Sequence, residues 1–61
     1  MKVGDLVKVN YPNDTEWYTG FVTEIPTADP LTVYQMYCIE RDAIHVLNPD
    51  RDEIILLSEN T

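Results

Sequence analysis

Two short segments near the start of the chain leave few architectures open. Val3-Gly4-Asp5-Leu6-Val7-Lys8-Val9 is followed by Thr19-Gly20-Phe21-Val22-Thr23-Glu24-Ile25. Each is rich in β-branched residues, and each has a glycine near its start. The first predicts a strand over residues 3–11: Val7, Val9 and Tyr11 share one face, and Lys8 and Asn10 the other. Pro12-Asn13-Asp14 ends it, because each of these residues favours a turn. The second predicts a strand over 17–25, with Thr19, Phe21 and Thr23 alternating with Gly20, Val22 and Glu24. A glycine inside such a run marks a bulge, a sharp bend, or a backbone packed close to another strand.

The rest of the chain repeats this pattern. Residues 26–30 contain two prolines and read as a loop. Residues 32–40 predict a third strand, with Val33, Gln35, Tyr37 and Ile39 on one face and Tyr34, Met36, Cys38 and Glu40 on the other. Both faces are largely apolar. The strand is therefore covered twice, or one of its faces is a contact surface. Residues 43–47 form a short fourth strand, and Asn48-Pro49-Asp50-Arg51-Asp52 is the clearest turn. Residues 53–57 carry a continuous apolar run, too short for an ordinary helix and of normal length for a strand. A single 3₁₀ turn near residues 50–53 fits the local sequence. Five short strands with polar turns argue for an all-β barrel or sandwich.

Sixty-one residues make one domain, spanning 1–61. A core this small rarely yields more than about 3–5 kcal/mol of net stability, and association with another body is the usual remedy. Cys38 is the sole cysteine, so no internal disulfide contributes. A protein partner, or self-association, is expected on these grounds. Net charge is −7, from eleven acids and four bases, with no basic cluster. Binding to a nucleic-acid backbone is not expected of such a chain, and a basic or neutral partner suits it better. The start of the chain has no signal-peptide pattern, and no apolar run reaches the ~20 residues of a membrane span. With one cysteine, a reducing, cytoplasmic setting is expected. Asn13-Asp14-Thr15 matches a glycosylation sequon, read here as chance.

Candidate chemistry is sparse. Asp50, Asp52 and Glu53 place three carboxylates close together, but without the spacing of a calcium loop, so an acidic turn is the better explanation. Cys38 and His45 make at most half a zinc site and read as ordinary strand positions. Gly4 and Gly20 are the only glycines, which excludes a Gly-rich phosphate loop. No catalytic residue, metal or cofactor is expected, and the chain does not read as an enzyme. Trp17, Tyr18, Tyr34 and Tyr37, near carboxylates, have three readings: an aromatic cage for a cation, ordinary core and strand residues, or interface anchors. Trp17, Tyr18, Tyr34, Met36 and Tyr37 are the expected partner-binding set.

The two opening segments resemble the start of SH3-like barrels of the KOW and Tudor kind. In those folds a GDxV motif opens the first strand, matched here by Gly4, Asp5 and Val7. A GxVxxI motif forms a strongly bent second strand, matched by Gly20, Val22 and Ile25. The chain is also similar to small SH3-like proteins of tailed bacteriophages, with Tyr34-Gln35-Met36-Tyr37 at the third strand and residues 52–57 at the closing one. The resemblance implies a small five-stranded SH3-like barrel. KOW relatives carry basic residues for RNA, and this chain lacks them.

Three functions follow in order of expectation. The first is a non-enzymatic protein–protein interaction module, a phage-type structural or accessory protein located in the host cytoplasm or the virion. The second is an acidic regulator or inhibitor of a basic host factor. The third is a Tudor-like reader of a methylated cation.

Overall fold

A computed structural model describes residues 1–27 and 33–59. It contains five strands: β1 (Leu6–Asn10), β2 (Tyr18–Glu24), β3 (Tyr34–Cys38), β4 (Ala43–Leu47) and β5 (Glu53–Ser58). They form one antiparallel sheet in the order β4-β3-β2-β1-β5. The protein is therefore all-β, with no helix among the described residues. The end of the 26–30 loop, Thr32 at the start of the expected third strand, and the final Asn60-Thr61 lie outside the described residues.

Alternation decides what is buried. Val7 and Val9 of β1, Tyr18 and Val22 of β2, Met36 and Cys38 of β3, and Leu47 of β4 form the core, with Tyr11, Tyr34 and Ile54 packed against it. A single sheet can bury such a set only by curling over it. The Tyr11 hydroxyl, just past β1, donates to the Val46 carbonyl of β4 at 3.2 Å. In a flat sheet three strand spacings of ~4.8 Å would separate those strands, beyond the reach of a tyrosine side chain.

Gly20 makes the close β2–β3 approach possible. A Cβ there would overlap the backbone carbonyl of Tyr37 and lie 2.9 Å from Met36 Sδ. Of the three roles expected for this glycine, the structure selects close backbone packing. The register shift of β2 lies three residues on, where Thr23 is extra between the Val22–Met36 and Glu24–Gln35 pairs.

The turns explain why the first strand is shorter than its pattern. Asp5 N–H donates to the Lys2 carbonyl at 3.1 Å, and Lys2 N–H donates to Asp5 Oδ2 at 2.8 Å. Gly4 sits at φ 92° in this turn, a conformation that glycine adopts without steric cost. At the other end, Asp14 N–H reaches the Tyr11 carbonyl at 3.1 Å, with Asn13 at φ 65°. Proline followed by a left-handed asparagine is the pattern of a type II turn.

Residues 48–52 form a single turn and not a 3₁₀ helix. The Asn48 carbonyl accepts from both Arg51 N–H (3.0 Å) and Asp52 N–H (2.7 Å). Asp52 returns the contact: its buried carboxylate accepts Asn48 N–H at 2.9 Å and pairs with Arg51 Nε at 2.8 Å. The acidic turn thus uses Asp52 as its own cap. Burial pushes this carboxyl up, but Arg51 and the Asn48 N–H outweigh burial and hold it below the ordinary 3.8. Stability from this group is therefore present above pH ~4 and lost as pH falls through its lower folded value. Asp52→Ala strands a part-buried N–H at a cost of about 1–3 kcal/mol, a melting temperature roughly 5–15 °C lower at neutral pH. Melts at pH 7 and at strongly acidic pH check this. The gap between wild type and variant should narrow on acidification, and a constant gap contradicts the assignment.

Candidate functional site

The outward-facing positions of the sheet bring together side chains that are far apart in the chain. Strand register aligns Ser58, Leu6, Phe21, Tyr37 and Ile44 in one row across β5, β1, β2, β3 and β4. A second row runs Glu24, Gln35 and Val46. Phe21 is 44% exposed, Tyr37 36% and Ile44 56%. Val33, Ile39 and Val46 are exposed as well. Directly opposed residues hold their Cβ atoms about 4.5–5.5 Å apart, so Phe21, Tyr37 and Ile44 form a continuous apolar stripe. Scattered exposed apolar residues are normal; contiguous ones mark contact surfaces.

The expected partner-binding residues divide between the two faces. Tyr37 lies on the outer stripe, where its hydroxyl donates to Asp42 Oδ1. This bond raises the tyrosine's pKa and fixes the ring over the β3–β4 turn. Trp17 is half-buried beside the outer face, with Lys8 Nζ 5.6 Å from its ring centroid. Met36 is fully buried under the sheet and offers no surface, so it leaves the contact set. Tyr18 is also a core residue, 6% exposed, with its hydroxyl donating to Asp14 Oδ2 and accepting from Arg41 Nη2. Tyr34 is half-buried against the core. Side chains on one strand alternate faces, so Tyr34 and Tyr37, three apart, cannot share a face. The four rings do not converge into a cage.

A different aromatic group does converge. Tyr11, Tyr18 and His45 pack with ring centroids 5.9–6.0 Å apart. Arg41 lies 5.2 Å from the Tyr18 ring, and Tyr11 Oη is 3.3 Å from His45 Nδ1. Burial, followed by the Asp52 carboxylate, pushes the Tyr11 hydroxyl up to about 12. Tyr11 therefore stays a donor through the physiological range and keeps the curl pinned to β4. The sequence signal was the parity of Tyr11 with Val7 and Val9; the partner on β4 was not readable. Cys38 is buried, with Sγ 3.8 Å from Glu40 Oε1.

The edges of the sheet are blunted, and the face is not. On β4, Tyr11 occupies the Val46 carbonyl. On β5, Leu57 is extra between the Val7–Leu56 and Leu6–Ser58 pairs, a bulge that disrupts the edge. Both are devices that discourage strand addition. Phe21, Ile44 and Val46 are what strand propensity and parity missed: each reads as strand filler in the sequence, and only register shows that they adjoin Tyr37. No family model, curated protein or solved structure matches the chain.

Proposed function

We propose that this chain is a non-enzymatic protein–protein interaction module that docks through the outer face of β2, β3 and β4. The observation that carries the reading is the Phe21–Tyr37–Ile44 stripe, left uncovered on a chain whose buried core is small. Aromatic and aliphatic side chains of this kind anchor interfaces. The curled sheet is read as an SH3-like barrel, supported by its strand order and by the opening GDxV and GxVxxI segments. A small structural or accessory role in a phage-type assembly, in the virion or the host cytoplasm, rests on that resemblance.

The test compares wild type with a Tyr37→Ser/Ile44→Ser double variant, both immobilised and exposed to lysate of the source cells or to assembled particles. Both changes are on the surface, and the thermal melts should agree within several degrees. Wild type should retain a partner that the variant loses at least tenfold. Equal retention by both proteins, or none by either, rejects this face as the functional surface.

The acidic-regulator reading is favoured by one further observation. Arg41 and Arg51 are engaged with Tyr18 and Asp52, and Lys8 with Trp17. The exposed acids are therefore left with few opposing charges.

A further inference from the structure

We infer that the partner seated on the outer face is a protein surface with an apolar centre and a lysine- or arginine-rich border, and not a second copy of this chain. The inference rests on the interaction-module reading and names the chemistry of its partner. Around the Phe21–Tyr37–Ile44 stripe the exposed acids fall at both ends of the strands. Glu24 stands in the row of Gln35 and Val46, and Asp42 lies in the turn after β3, beside the Tyr37 ring. Glu53 is exposed further along the same face, opposite Asn10. On the strands of this face the base is Lys8, drawn over Trp17, and Arg41, in the same turn as Asp42, is directed to the buried Tyr18.

The acidic border is joined to the stripe itself. Asp42 accepts the Tyr37 hydroxyl. Two copies meeting face to face would press one acidic border against another, a like-charge juxtaposition that disfavours the contact. A basic border reverses that sign. Because the sheet curls over its core, the stripe lies on a convex surface, which suits a flat or concave partner.

The experiment uses synthetic amphipathic peptides, one of leucine and lysine and one of leucine and glutamate, titrated into the isotope-labelled chain by NMR, with sedimentation of the chain alone. The leucine–lysine peptide should shift the amides of Phe21, Tyr37, Ile44 and Val46 and bind at least tenfold more tightly than the leucine–glutamate peptide. Its affinity should weaken at roughly 0.5 M salt, where screening shortens to several ångströms. A Glu24→Lys/Asp42→Asn variant should lose that preference while still binding through the stripe. Tyr37→Ser/Ile44→Ser should lose both peptides. Equal binding of the two peptides on the stripe overturns the basic partner and leaves the interaction module standing. Dimers that dissociate on Tyr37→Ser/Ile44→Ser also overturn it, in favour of a second copy. A monomer whose stripe responds to neither peptide removes both readings.

Discussion

Replacing Gly20 with alanine leaves most of the chain unfolded at 25 °C. The added methyl has nowhere to go. It would overlap the Tyr37 carbonyl oxygen, which belongs to the β3 backbone and cannot swing aside, and would press on Met36 Sδ at 2.9 Å. Relief requires β2 and β3 to part, and that pairing joins the Tyr18 and Val22 side of the core to the Met36 and Cys38 side. Overpacking in a tight core costs about 1–3 kcal/mol, and more where backbone must move. A domain of this size has about 3–5 kcal/mol to lose. Circular dichroism melts and urea titration check the outcome. A variant that melts within a few degrees of wild type would show that β2 and β3 do not approach as described.

Met36→Ala is the second large effect. Met36 is fully buried between the paired sheet and the rest of the core. Truncating a buried methionine to alanine costs about 2–5 kcal/mol, through lost transfer energy and the cavity left behind. The folded fraction should fall steeply, with a much lower urea midpoint. Tyr37→Ser is the control one position along the chain. Tyr37 faces outward, so its loss should cost less than ~1 kcal/mol in cross-strand contact while acting on partner binding. If Met36→Ala left the midpoint unchanged and removed binding, Met36 would be a surface residue after all.

These two neighbours show where reading the chain succeeded and where it stopped. Strand positions were legible because apolar alternation and turn residues are local. Residues 43–47 were expected as a strand and are one, as β4. The apolar run after Asp52 is β5, and Gly20 marks a close backbone approach. Alternation also placed Met36 opposite Tyr37 in facing. It could not say which of the two faces the core, because both sides of that strand are apolar. Residue type then favoured grouping Trp17, Tyr18, Tyr34 and Tyr37 with Met36 as one contact set.

By itself, the sequence determined the five strands, their turns and the acidic balance, since strand propensity, turn chemistry and charge depend on neighbours in the chain. Tertiary structure decided which face is covered. Register joined Phe21, Tyr37 and Ile44 into one stripe, and the curl placed Tyr11 against His45 and Val46. The physical reason is that a lone sheet has two faces and only one inside. The choice between them is a sum over all five strands, which no single strand carries.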